Sequence, residues 1–334
     1  MDFIAPTAWV KPPQMLRRKM EAGQFVVTIE LTPPRAPDLT SILTRLEKNF
    51  LGHADAINVT DCASSILRMS SLCACQVILH AGGEPVMQLT CRDRNRIALQ
   101  SELISAYASG VRNILCLTGD HVRFGDHPTA KPVFDLDAVN LIAMVGAMRR
   151  EGQYGSGDPI RLNAKSETLK LDWLIGAAAN PYGNRPEHLA AHLDKKRRAG
   201  ADFLQTQPIF DAAGFDAWWR ALAALGLDRT MKIMPGLLPP KSAHALEYMK
   251  EHVSGVRIPD EVIRRMKAAA DPEAEGKKLT LELVDFLLQY PIAGLHLYPV
   301  FWESYMPELA GEIRERAARA GHALGDRSEA AAAS

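Results

Sequence analysis

The chain has 334 residues, of which 47% are hydrophobic and 23% charged. This is an ordinary globular composition, at a length that one large α/β domain can reach. Lys plus Arg and Asp plus Glu each total 39, so the formal charge is zero. No global field draws the protein to nucleic acid or to a membrane surface, and an anionic small molecule would need a local basic site. No run of about 18 apolar residues occurs, and residues 1–15 lack a basic stretch leading into an apolar core, so a cytoplasmic protein is expected. Cys62, Cys73, Cys75, Cys91 and Cys116 are odd in number and sit mostly in apolar runs. They read as reduced, small hydrophobes. Cys73-Ala-Cys75 has no second Cys or His pair at ligand spacing beside it, so no metal is expected.

Along the chain, short apolar or β-branched runs alternate with amphipathic stretches at helical spacing, the pattern of βα units and a parallel sheet. Eight such runs occur: Phe25–Leu31, Asp55–Thr60, Pro85–Cys91, Arg112–Thr118, Trp173–Ala179, Asp202–Gln207, Met231–Leu237 and Ala293–Tyr298. The expected fold is therefore α/β, a (β/α)8 TIM barrel over residues 25–320. It is preceded by an arm at 1–24 with a short helix near Gln14–Ala22, and followed by a flexible tail at 321–334. Between the runs, Asp38 is placed to cap a helix with Leu39, Ile42, Leu43 and Leu46 on one face. Over Ala212–Leu225 the same spacing puts Phe215, Trp218, Trp219 and Leu222 on one face, so the two tryptophans read as packing. The long segment His121–Thr168 contains one helix near Leu136–Arg150. Val256–Gln289 holds two helices parted near Asp271-Pro272.

In a parallel barrel, chemistry gathers where strands end and βα loops begin. The expected exits carry Glu30, Thr60, Gln88 with Thr90, Asp120, Asn180, Gln207, Gly236, and His296 with Tyr298. A barrel built only for packing does not need polar groups at nearly every exit, although any one of them can instead cap a helix. Glu30 lies late in its strand, before a stiffening Pro33-Pro34. Burial there would let it carry a proton near neutrality, and a salt bridge to Arg35 is an equal alternative. Asp120 follows Gly119, which permits a sharp turn; an acceptor for a ligand and a loop cap stand even for it. Lys195–Arg198 is a basic run late in a helix, ordinarily a solvated face, from which one member can turn to a phosphate. His121 and His127 read as loop polar contacts. No G-x-G-x-x-G, Walker A, H-E-x-x-H or G-x-S-x-G sequence occurs. Residue spacing thus reaches a barrel enzyme with carboxylates at two exits, and no particular reaction.

At Glu30-Leu-Thr-Pro-Pro-Arg35 and Leu117-Thr-Gly-Asp120 the sequence resembles the methylenetetrahydrofolate reductase family. Further matches follow in order: Asn58-Val-Thr60; Gln88-Leu-Thr-Cys91-Arg-Asp93; Ala199-Gly-Ala201-Asp202 leading to Gln205-Thr-Gln207-Pro-Ile-Phe210-Asp211; Pro235-Gly-Leu-Leu-Pro239; and Val256-Arg-Ile-Pro259. Together they cover roughly residues 22–300 in register. The resemblance implies a flavin (FAD, with FMN as the alternative) lying across the strand ends. It also implies a ping-pong cycle in which NAD(P)H and then a folate one-carbon unit occupy the same mouth. Glu30 matches the family's acid, Asp120 the residue beside flavin and pterin, Thr60 a flavin contact, Gln207 a folate contact and Lys196 a basic flavin contact. A homo-oligomer is expected, and an electron-transfer partner subunit is a further candidate.

There are departures. Gln88 stands where the family often has His beside the flavin, Thr118 where Arg is common, and Tyr298-Pro-Val-Phe-Trp302-Glu303 where Thr-Leu-Asn-Arg is common. A pterin-binding methyltransferase barrel without flavin, and a non-catalytic subunit docked on an electron-transfer partner, stay open as alternatives.

Overall fold

The computed structural model describes residues 14–324 apart from 184, 254 and 301; most of the expected arm and tail lies outside the described residues. Eight parallel strands close into a barrel in chain order. They are β1 (Val26–Leu31), β2 (Ala56–Val59), β3 (Pro85–Thr90), β4 (Asn113–Leu117), β5 (Leu174–Ala179), β6 (Phe203–Pro208), β7 (Lys232–Leu237) and β8 (Gly294–Leu297). Each coincides with one of the eight runs expected from the sequence. Register pairs Thr28 with Ala56 on one side and with His296 on the other, which closes the ring. The helices are α1 (Met15–Glu21), α2 (Leu39–Arg45), α3 (Ser71–His80), α4 (Arg96–Ala108), α5 (Ala138–Arg150), α6 (Pro186–Ala199), α7 (Ala212–Ala224), α8 (Leu227–Thr230), α9 (Ala243–His252), α10 (Asp260–Ala268), α11 (Pro272–Leu287) and α12 (Met306–Arg319). Among the described residues no helix is long and apolar enough to cross a membrane.

Strand alternation sorts the side chains. Val27, Ile29 and Leu31 face out and join the sheath that the helices cover, while Val26 joins the apolar group inside the barrel. That inner floor comprises Val26, Ala56, Val86, Leu115, Leu174, Phe203 and Met234, closed from below by Leu16 and Met20 of α1. Helix α1 is tied down because Glu84 accepts hydrogen bonds from the Met15 N–H at 2.6 Å and the Leu16 N–H at 3.2 Å. Gly176 leaves room for the Phe203 ring, which a Cβ at that position would meet at 2.3 Å. Above the floor the interior turns polar at Thr28, Asn58, Gln205 and His296, all buried.

Asp38 caps α2 by accepting from the Ser41 N–H at 3.2 Å. The expected four-residue apolar face is only half used: Ile42 and Leu46 are buried, but Leu39 and Leu43 are exposed. Helix α2 is only seven residues long and widens into a π-helical turn at Leu46–Phe50, so two positions meet the core. Trp218 and Trp219 pack as expected, with the Phe215 ring 5.6 Å from Trp218 and the Tyr290 ring 5.2 Å from Trp219.

Candidate active site

Alternation along β1 carries Thr28 and then Glu30 toward the open end of the barrel. Glu30 keeps 17% of its side chain exposed. Its Oε2 accepts a hydrogen bond from the Gln88 amide at 3.2 Å and lies 3.8 Å from His296 Nε2. The alternative salt bridge to Arg35 does not form: Arg35 pairs with Asp126 at 2.6 Å. Two positions beyond Asn58, Thr60 is 1% exposed, and its hydroxyl has no hydrogen-bond partner among the described residues. An orphaned buried hydroxyl is costly in a closed core and keeps capacity for one further partner.

Asp120 lies on the exposed loop after β4. Its Oδ2 accepts from the Ser64 N–H at 3.1 Å. Gly119 makes the turn at φ +90°, where a Cβ would press within 3.1 Å of Thr90 and Arg92. Opposite Asp120, the loop after β2 holds three non-glycine residues at positive φ, Cys62 (48°), Ser64 (54°) and Ser65 (58°). Such backbone persists only where its surroundings over-determine it. Here Arg92, 2% exposed, donates to the Cys62 carbonyl (3.2 Å), Ser65 Oγ (3.0 Å) and the Asp120 carbonyl (3.4 Å). Buried Asp61 is held by the Thr90 N–H and hydroxyl and by Arg94 at 2.8 Å. The Asp120 carboxylate is thus aimed by a loop pinned across three strand exits. Thr118, where the resembled family often has Arg, accepts from the Ala138 N–H and helps cap α5.

The basic run on α6 divides. Arg197 and Arg198 pair with Asp194 at 2.8 and 2.6 Å, whereas Lys196 is buried at 8% exposure. Lys196 Nζ donates to the Ala178 carbonyl of β5 at 2.7 Å. Burial pushes this ammonium down to about 8, against the opposing pull of Asp137. A buried ammonium with one carbonyl partner has donor capacity for an anionic or carbonyl-bearing ligand. Gln207 stands at the β6 exit, where the register shifts between Gln205 and Pro208. Glu30 and Gln88 touch directly; among the described residues no direct hydrogen bond joins Asp120, Lys196 or Gln207 to them or to one another.

Sequence reasoning passed over Arg92, Asp61 and the strained loop, because nothing local to Cys62–Ser65 announces left-handed backbone. It also took the polar groups only as strand ends. The inward alternation Thr28–Glu30, Asn58–Thr60 and Gln205–Gln207 was a readable sign of a polar interior.

The fold resembles a solved structure described as "Uncharacterized protein from Clostridium thermocellum binds two copies of 5-methyl-5,6,7,8-tetrahydrofolic acid", with a TM-score of 0.61, 14% identity, and coverage of 90% of this chain and 99% of that one. Among curated proteins, the chain is 28% identical to methylenetetrahydrofolate reductase 1 of Schizosaccharomyces pombe over 64% of this chain and 32% of that protein. It is 25% identical to the probable methylenetetrahydrofolate reductase (NADPH) of Caenorhabditis elegans over 89% of this chain and 43% of that protein. It is also 25% identical to the 5,10-methylenetetrahydrofolate reductase of Pectobacterium carotovorum subsp. carotovorum, over 83% of this chain and 86% of that protein. The chain thus covers well under half the length of the first curated relatives it matches, from fission yeast and nematode. The family model described as methylenetetrahydrofolate reductase matches residues 15–313, spanning the floor helix, all eight strands and every residue of the mouth described above, and the chain belongs to that family.

Proposed function

We propose that this chain is a flavin-dependent 5,10-methylenetetrahydrofolate reductase, an oxidoreductase whose substrates are NAD(P)H and a folate one-carbon unit and whose residues 25–320 act as one catalytic barrel. The observation that supports the reading most is Glu30: a carboxylate at the barrel mouth, oriented by an amide and, among the described residues, without an Arg or Lys salt bridge. A cation beside a carboxylate favours its charged form, so the lack of one at Glu30 suits an acid that must hold and deliver a proton.

The residues present fit a flavin. The orphaned Thr60 hydroxyl and the Lys196 ammonium would hold its polar edge and an anionic or carbonyl group, and Gln88 would lie beside its ring. Bound flavin, as FAD or FMN, supplies the store of a hydride between nicotinamide and folate, which take turns in the mouth. Glu30 gives its proton to the methylene-bridged folate, so that the ring opens to an iminium carbon ready for hydride. Asp120 presents an acceptor to the pterin edge, and Gln207 contacts the folate. The same residues serve either direction of turnover. A homo-oligomer and docking to an electron-transfer partner belong to the same reading.

The test is the pair of half-reactions. The purified protein is expected to be yellow, to bleach with NADH or NADPH, and to recover its colour with methylenetetrahydrofolate. Glu30→Gln is expected to keep the nicotinamide half-reaction and to lose the folate half-reaction by roughly 10²–10⁴-fold. Undiminished folate turnover in that variant would remove Glu30 from the role. A colourless protein that still binds folate would favour the methyltransferase reading.

A further inference from the structure

Below Glu30 the barrel holds a closed chain of polar contacts that no part of the proposed reaction uses directly. Asn58 Nδ2 donates to Gln205 Oε1 at 2.6 Å. Gln205 Nε2 donates to Asn58 Oδ1 at 3.2 Å and to Thr28 Oγ1 at 3.1 Å. Thr28 Oγ1 in turn lies 2.9 Å from His296 Nδ1. All four residues are at most 2% exposed, so water does not complete their bonding.

Counting donors sets the position of one proton. Both Gln205 N–H bonds are committed, one to Asn58 and one to Thr28. The Thr28 oxygen therefore accepts from Gln205, and its own O–H points to His296 Nδ1. The Gln205 amide nitrogen also approaches Nδ1, at 3.5 Å. With the Thr28 O–H aimed at it, Nδ1 is the bare, accepting nitrogen, and the ring proton resides on Nε2. That nitrogen faces Glu30 Oε2 at 3.8 Å, longer than a hydrogen bond but close enough for the N–H dipole to orient a carboxylate. The Gln88 amide approaches the same oxygen at 3.2 Å. The Tyr298 ring closes the remaining side of the imidazole edge-on at 4.6 Å. Its hydroxyl is turned away, donating to the Thr206 carbonyl at 2.9 Å.

We propose that His296 is a positioning residue for Glu30: the Asn58–Gln205–Thr28 chain holds it as the neutral Nε2–H tautomer, and together with Gln88 it marks Glu30 Oε2 as the accepting oxygen. The acid proton is thereby confined to Oε1, which has no partner among the described residues. In turnover that proton leaves Oε1 for the folate nitrogen, Glu30 becomes a carboxylate steadied by the two N–H groups beside Oε2, and His296 stays neutral throughout. The proposal rests on the reading of Glu30 as the acid.

The experiment combines a ring readout with kinetics on the full chain. In protein labelled with ¹⁵N-histidine, the signals lost in His296→Gln identify His296, and they are expected to show a proton on Nε2 and a bare Nδ1. In Thr28→Val the Nδ1 signal is expected to shift toward that of an unbonded nitrogen. A proton on Nδ1, or a cationic ring, overturns the proposal whether or not folate is turned over. In rapid-reaction kinetics, His296→Gln places an amide N–H near the Nε2 position, whereas His296→Asn reaches only the Nδ1 position. His296→Gln is expected to run the folate half-reaction about tenfold faster than His296→Asn, because only the former keeps an N–H dipole directed at the carboxylate. The ratio of folate to nicotinamide half-reaction is expected to fall in His296→Asn and Thr28→Val. Equal losses in the Gln and Asn variants, or losses shared by both half-reactions, reduce His296 to a packing role. Wild-type protein without folate turnover sinks the functional reading alone, since the tautomer is read independently.

Discussion

Lys196→Met separates stability from ligand binding. The wild-type ammonium is buried and titrates at about 8 instead of 10.5, because folding strips its water. A depressed lysine means that the unfolded chain binds the proton more tightly, so stability rises with pH through the window from about 8 to 10.5 and is at its lowest below it. The shift of about 2.5 units corresponds to about 3 kcal/mol of destabilisation at pH 7. Methionine fills a similar volume without a charge and forfeits the bond to the Ala178 carbonyl, worth about 1 kcal/mol. The ligand-free variant is therefore expected to be about 2 kcal/mol more stable at pH 7. For a chain of this length that is a rise of about 3 °C in Tm. The gain should vanish near about pH 10 and turn into a deficit of about 1 kcal/mol above pH 10.5, where the wild-type amine is neutral and only the lost bond to Ala178 remains. Flavin affinity is expected to move the other way, falling by about tenfold with the loss of one charged contact. The assay is thermal melting from pH 6 to 10 on stripped protein, followed by flavin titration. A variant that melts lower than wild type at pH 7, with no pH dependence in the difference, would refute the reasoning; unchanged flavin affinity would remove Lys196 from the cofactor site.

Two other results are expected. Asp120→Asn preserves an oxygen that can accept from the Ser64 N–H, so its Tm should stay within a few degrees of wild type while the folate half-reaction slows by about tenfold, one charge contact; general unfolding of the variant would make Asp120 structural. A thiol reagent should modify Cys62 and Cys73 quickly in the native protein, because only these two are partly exposed. Cys91, pushed up to about 12 by burial, together with the fully buried Cys75 and Cys116, should react only on unfolding. Fast modification of all five would contradict the packing described here.

Much of the architecture was legible in the sequence because it is encoded locally. Each strand is a short apolar or β-branched run, each helix a 3.6-residue pattern, and a cap such as Asp38 acts within three residues of itself. The polar strand ends were legible for the same reason, since alternation assigns a side without reference to any partner. Partners across the barrel were not. Arg35 finds Asp126, 91 residues away, and Glu30 finds Gln88, 58 residues away. Lys196 is buried while its neighbours Arg197 and Arg198 stay with Asp194.

Periodicity by itself therefore determined the eight strands and the polar groups at their ends, Glu30, Thr60, Gln88, Gln207 and His296 among them. Tertiary structure alone decided that α1 plugs the floor, that the backbone at Cys62, Ser64 and Ser65 is left-handed, and which oxygen of Glu30 faces His296. The division has one physical cause. A side chain's face follows from backbone geometry over a few residues, whereas its partner is chosen by how distant strands register when the ring closes.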